Sequence, residues 1–198
     1  MRSFSFSLKR FIDVVGSLGG LVILSPLFLV IAVLIRIDSQ GPVFFTQKRL
    51  GYKGRTFRII KFRTMVVNAE NIDDGIRVSS EKDPRITRIG RILRATSLDE
   101  LPQFINVLKG DMSLVGPRPP ATYHPYDGYE NYPEWAKKRF EVRPGITGLA
   151  QITLRNSAPW IERMKIDVKY VEQFHLKADM WILLRTIKKV FSRQSIYA

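Results

Sequence analysis

From Val14 to Ile35 the chain carries 22 consecutive residues without a formal charge, mostly Val, Leu, Ile, Phe and Gly. At about 1.5 Å rise per residue that is roughly 33 Å of helix, near the thickness of a bilayer core. The run exceeds the about 7–15 apolar residues of a signal peptide, and no small-x-small cleavage site follows it. Its flanks argue against a simple crossing. Lys9 and Arg10 precede it, whereas Arg36, Lys48, Arg49, Lys53, Arg55, Arg58, Lys61 and Arg63 follow it, with no acid between Asp38 and Glu70. The positive-inside bias therefore draws both ends to the same side of a membrane. Ser25-Pro26 falls near the middle of the run. Proline there removes a backbone donor and clashes with the preceding turn, so a sharp kink is expected. The Ser25 hydroxyl can satisfy a freed carbonyl where no water can. A helix that dips in, bends at Ser25-Pro26 and returns reconciles these facts, with a kinked single span left open. Asp13, at the mouth of the run, is expected to pair with Arg10. The alternative is that Lys9 and Arg10 meet lipid phosphates.

The full chain has 198 residues, with 32 Lys+Arg against 18 Asp+Glu and a net charge of +14. An apolar fraction of 45% excludes a disordered basic tail. Cys is absent and only two His occur, which removes disulfide scaffolds, zinc-thiolate sites and thiol nucleophiles. The chemistry must come from carboxylates, basic groups, hydroxyls or a hard cation held by oxygen. The expected fold class is α+β and mostly helical, with a membrane-embedded segment over 1–38 and a compact domain over 39–198. Val43–Gln47 and Thr56–Phe62 flank Gly51-Tyr52-Lys53-Gly54 and read as a β-hairpin. Residues 66–84 read as a mobile polar loop carrying Asp73-Asp74. One helix is expected from Ile86 to Ala95 and another from about Ser97 to Leu108, ending at Gly110. Residues 116–120 and 143–148 read as structured Pro/Gly loops. The last third is amphipathic: Trp160, Met164, Val168 and Val171, then Met180, Leu183, Leu184, Ile187 and Phe191. These stripes read first as core, with interfacial membrane helices as the alternative.

Asp99-Glu100 is the densest acidic pair in a basic region. Ser97-x-x-Glu100 matches a capping box, and Pro102 fits a first helical turn. The same geometry serves chemistry, because helix N-terminal amides favour a charged carboxylate. An ionised Asp can be a nucleophile toward phosphorus or can hold Mg²⁺ against a diphosphate. Lys61, Arg63, Arg88, Arg91, Arg94, Arg118 and Arg143 surround it in sequence with groups that suit phosphate oxygens. No helix-turn-helix, zinc finger or RNA-binding signature occurs, so nucleic acid is not the expected partner, and without a Walker loop or Gly-x-Gly-x-x-Gly nucleotide binding by either common fold is unsupported. A non-catalytic, membrane-anchored basic module is the rival reading. Asp111 reads as a turn residue, and His124 and His175 as surface or packing groups.

Lys9-Arg10-x-x-Asp13, Ser25-Pro26, Gly41-Pro42-Val43-Phe44-Phe45-Thr46-Gln47 and Lys61-Phe62-Arg63-Thr64-Met65 open a series of motifs. Ser97-Leu98-Asp99-Glu100-Leu101-Pro102-Gln103, Asn106-Val107-Leu108-Lys109-Gly110-Asp111-Met112-Ser113, Gly116-Pro117-Arg118-Pro119 and Arg143-Pro144-Gly145-Ile146-Thr147-Gly148 continue it. With these motifs, in this order over nearly its whole length, the chain resembles the bacterial sugar transferases, the monotopic phosphoglycosyl transferases that act on polyprenyl phosphate. The resemblance implies that Asp99 attacks the β-phosphorus of a UDP-sugar, releasing UMP, and that polyprenyl phosphate then takes the sugar-phosphoryl group from the aspartate. It implies that Glu100 assists, that Asp99 and Glu100 face Mg²⁺, and that Arg94 and Arg118, with Lys61 and Arg143 as further candidates, bind phosphate. It also implies a re-entrant N-terminal helix in the bacterial inner membrane, with the catalytic domain on the cytoplasmic face. Membrane phospholipids are then partners, and a homodimer is allowed.

Overall fold

The computed structural model describes residues 2–69, 83–154 and 158–191. The Asp73-Asp74 loop lies outside them. The apolar run lies within one long helix, α1 (Arg2–Asp38), which continues through Pro26. Its segment Ser5–Asp38 is long and apolar enough to cross a membrane by length and composition. Pro26 cannot donate to the carbonyl of Val22, and the Ser25 hydroxyl donates to that oxygen instead, at 2.8 Å.

One narrow stripe of α1 faces the rest of the protein, at the three-to-four-residue spacing of a helix face. Lys9, Asp13 and Ser17 are buried in its first half, and Ile31 and Ile35 in its second. Opposite them, Phe11, Val15, Val22, Ile23, Leu29 and Ile37 are exposed. The expected Asp13–Arg10 pair does not form. Asp13 Oδ1 accepts from Ser113 Oγ at 3.0 Å and Leu114 N at 2.9 Å, while Lys9 bonds Asp179 Oδ2 at 2.6 Å. Arg10 instead reaches Val107 O at 2.7 Å, so each of the three charged side chains takes a partner from a distant part of the chain.

Strands β1 (Phe44–Leu50) and β2 (Thr56–Phe62) pair antiparallel as the expected hairpin, with Phe45 opposite Lys61. Helix α2 (Arg88–Ala95) starts at Thr87, whose side chain accepts from Gly90 N at 3.0 Å. The single helix expected from Ser97 to Leu108 is broken in two. A 3-10 turn covers Leu98–Glu100, and α3 spans Gln103–Lys109, ending at Gly110 with φ of 89°. The capping box does not form, because Ser97 is left-handed at φ 58° and makes no side-chain cap. Strands β3 (Ser113–Val115) and β4 (Gly145–Thr147) pair in parallel, β4 inside the 143–148 segment read as a loop. Helices α4 (Glu134–Lys137), α5 (Leu149–Thr153), α6 (Trp160–Glu172) and α7 (Leu176–Phe191) complete the chain. The fold is thus mostly helical α+β.

The first amphipathic stripe behaves as core, since Met164 is fully buried. The second does not. Ile182 is the buried hydrophobic residue of α7, with Leu183 packed beside it, while Met180, Leu184 and Ile187 point outward. Asp179 explains the rotation: its bonds to Lys9 and Tyr170 hold that side of α7 inward.

Candidate active site

The acidic pair enters the site on the 3-10 turn, just before α3. Lys61 approaches from the end of β2, placing Nζ at 2.5 Å from Glu100 Oε1 and 3.6 Å from Asp99 Oδ2. Arg118 reaches the same Glu100 oxygen from the other side, with Nη2 at 2.9 Å. Arg94 comes from the last turn of α2, where its Nε donates to Thr64 Oγ1 at 2.9 Å, and its charge acts on Asp99. Gly90 makes this approach feasible. A Cβ there would lie 2.1 Å from the Thr64 carbonyl oxygen, so only glycine lets α2 sit against the strand end.

The two neighbouring carboxylates live in opposite environments. Burial is the largest influence on Glu100 and opposes its charge, yet Arg118 and Lys61 together outweigh it and hold its pKa well below the carboxylate range. Asp99 is 9% exposed and accepts no hydrogen bond among the described residues. Burial pushes its pKa upward, with Lys61 opposing and the Glu100 charge adding to the rise. The helix-amide stabilisation expected for both is therefore not what governs them, because they sit on the 3-10 turn and Leu101 and Pro102 separate them from the first residue of α3.

Three cations, Lys61, Arg94 and Arg118, stand against two carboxylates. Arg49 adds a fourth close by. Burial, with repulsion from Arg118 next, lowers its guanidinium to about 10. An excess of partly desolvated cations is the electrostatic form of an anion site. Among the described residues no group of three or more His, Cys, Asp or Glu is placed to hold a metal ion. Asp99 and Glu100 fit a different arrangement, in which Mg²⁺ takes one or two carboxylates and completes its shell with substrate phosphates and water.

Of the remaining sequence candidates, Arg143 and Arg10 do not join this group. Arg143 Nε donates to Gly110 O at 2.9 Å, and Arg10 donates to Val107 O at 2.7 Å and Leu108 O at 3.1 Å. Both bind the far end of α3. Lys9, Asp13, Ser25 and Pro26 belong to α1 and its seam. Sequence reasoning missed the role of Thr64 in aiming Arg94, although Thr64 lies in a quoted motif. It also missed Arg49 and the buried Arg139–Asp167 pair, whose residue types carry no local signal.

A family model described as bacterial sugar transferase matches residues 4–193. The chain belongs to this family. It is 46% identical over 192 residues to a galactosyl transferase, CpsE, of Streptococcus agalactiae serotype III, covering 92% of this chain and 42% of that protein. It is 42% identical over 194 residues to a UDP-glucose:undecaprenyl-phosphate glucose-1-phosphate transferase of Caulobacter vibrioides, covering 96% of this chain and 72% of the relative. A UDP-N-acetylgalactosamine-undecaprenyl-phosphate N-acetylgalactosaminephosphotransferase of Aeromonas hydrophila is 41% identical over 188 residues, 93% of this chain and 44% of that protein. The chain thus spans less than half of two of these relatives.

Proposed function

We propose that this chain transfers a sugar-1-phosphate from a UDP-sugar to polyprenyl phosphate, giving polyprenyl-diphospho-sugar and UMP. The observation that carries the reading is the buried Asp99 carboxylate, which accepts no hydrogen bond among the described residues and has Lys61 Nζ at 3.6 Å with Arg94 and Arg118 nearby. An oxygen nucleophile freed from donors is reactive, and surrounding cations neutralise charge that builds on phosphorus. The attack forms a bond from an Asp99 oxygen to the β-phosphorus and breaks its bond to the bridging oxygen, which leaves with UMP. Polyprenyl phosphate then attacks the same phosphorus, and Asp99 leaves as a carboxylate. Glu100, held ionised between Lys61 and Arg118, fixes both cations at the site. Asp99 and Glu100 would hold Mg²⁺, which would supply further charge neutralisation. Two of the named relatives act on undecaprenyl phosphate, which supports that acceptor.

Two features support a re-entrant helix with the catalytic domain on the cytoplasmic face. Basic residues flank both ends of α1, and both halves of α1 bury residues against one domain. A helix crossing the bilayer would carry β3, α3 and α2 across with it. Exposed Trp181, Leu184 and Ile187 on α7 extend the apolar surface that phospholipids would cover. Labels at residues 2 and 40 are expected on the same side of the membrane, and opposite sides would overturn the topology.

UMP release from a panel of UDP-sugars with Mg²⁺ tests the chemistry. Wild type without acceptor is expected to release up to one equivalent of UMP from its donor, and to turn over when polyprenyl phosphate is added. Asp99→Asn is expected to do neither. Retained turnover in Asp99→Asn would overturn the covalent route.

A further inference from the structure

The Gly116–Pro120 loop carries Arg118 but has little means of holding itself. Pro117, Pro119 and Pro120 have no N–H, so the loop is fixed largely through its carbonyls. Four consecutive ones are taken from outside. Gly145 N donates to Pro117 O at 3.0 Å, Arg139 Nη2 to Arg118 O at 2.8 Å, Arg49 Nη1 to Pro119 O at 3.3 Å, and Leu50 N to Pro120 O at 3.0 Å.

The bond at Arg118 O stands out because its donor is a buried charge. Arg139 Nη2 also donates to Asp167 Oδ2 at 2.6 Å, and the two side chains are 1% and 3% exposed. Burial raises the Asp167 carboxyl, and Arg139 opposes that rise. Such a pair loses so much hydration that apolar residues of similar size commonly hold a fold as well. What an apolar pair cannot do is donate to the peptide that carries Arg118. The pair also joins three parts of the chain: Arg139 lies on the turn after α4, Asp167 on α6, and the carbonyl in the active-site loop.

We propose that Arg139, oriented by Asp167, is a positioning residue for Arg118, fixing the peptide from which the guanidinium reaches Glu100 and the phosphate-binding site. The role in phosphate binding rests on the function proposed above. Arg139→Lys keeps the buried charge but replaces the planar guanidinium, whose Nη2 bonds both the Arg118 carbonyl and Asp167, by a flexible ammonium that does not fix that position.

The test uses the full chain in lipid, with Arg139→Lys, Arg118→Ala and their combination. Arg139→Lys is expected to lower kcat/KM by roughly tenfold to a hundredfold, the scale of a small misplacement in a site. The loss is expected mainly in kcat, because a displaced Arg118 guanidinium no longer holds Glu100 at the site. Arg118→Ala is expected to do the same, and the double variant to lose nothing further. Losses that multiply in the double variant would overturn the proposal. Replacing both partners, Arg139→Leu with Asp167→Leu, avoids an unpaired buried charge. Near-normal thermal unfolding with the same loss of activity is expected, and full activity would overturn the role. UMP release by wild type checks the reaction separately. If there is none, that reaction fails and the coupling is read in affinity for inorganic pyrophosphate. The same non-additivity is expected there, and additivity or no binding by wild type would overturn the positioning role.

Discussion

The two ends of α3, a helix of seven residues, are treated in opposite ways. At its C-terminal end almost every backbone group has a partner. Arg10 takes the carbonyls of Val107 and Leu108, Arg143 takes that of Gly110, and Asp111 N and Met112 N bond Asn106 O. Asn106 laces the same end to β2, accepting from Ile60 N and donating to Arg58 O. At the N-terminal end, polar groups stay unmet. Asp99 accepts no hydrogen bond among the described residues, and Gln103 Nε2 is buried without a partner. Unmet buried groups destabilise a fold unless something else binds them. The contrast teaches that the helix is anchored at one end so that the other can hold groups in an unfavourable state suited to a ligand.

If that division is right, variants at the two ends separate activity from stability. Asp99→Asn is expected to reduce turnover by at least about a thousandfold while leaving the unfolding temperature the same or higher, measured by UMP release and thermal denaturation. The neighbouring carboxylates also give opposite pH signs. Asp99 has a raised folded pKa, so its contribution favours folding below its ordinary value of 3.8 and is lost as pH rises through the folded value. Glu100 has a depressed one, so it stabilises above its ordinary 4.5, and that gain fades as pH falls toward the folded value. At neutral pH, Asp99→Asn should therefore be more stable than wild type and Glu100→Gln less stable, with both differences shrinking on acidification. Equal signs for the two would break the comparison. Gln103→Met is expected to cost roughly tenfold in kcat/KM with no loss of stability, the effect of one lost ligand hydrogen bond. Arg10→Ala, at the anchored end, should lower stability by about 2 kcal/mol and change kcat/KM far less. The smallest effect is expected at Ser25→Ala, about 0.6 kcal/mol in lipid, because only the Val22 carbonyl loses a partner.

Much of this division was legible in the chain. An acidic pair inside a basic stretch marks the site, and the Phe/Ile/Thr-rich segments around Gly51–Gly54 mark the hairpin. What was not legible are roles whose partner is a backbone carbonyl. Arg10 read as the partner of Asp13, and Arg143 as a phosphate-binding cation, because the acceptors they cap lie 97 and 33 residues away and have no residue signature. The Ser97 capping box failed for a different reason. The motif specifies side chains, but a left-handed residue at that position turns the hydroxyl out of reach. The parallel pair β3–β4 is three residues per strand, too short for any alternation to register. The outward stripe of α7 looked like core because a helix facing lipid and a helix facing a core carry the same spacing.

The seam along α1 bears on how this protein can be handled. Ile31 and Ile35 close over Phe62 and Leu93, and Lys9 supplies the counter-charge to Asp179. The apolar segment is thus one wall of the catalytic body, and not a tether that can be cut away to leave a tractable enzyme. Removing residues 1–38 would bare the underside of β2 and α2 and strand a buried acid. A trimmed version is expected to aggregate even in detergent that keeps the intact chain monodisperse, so solubility has to be engineered on the lipid-facing side chains instead.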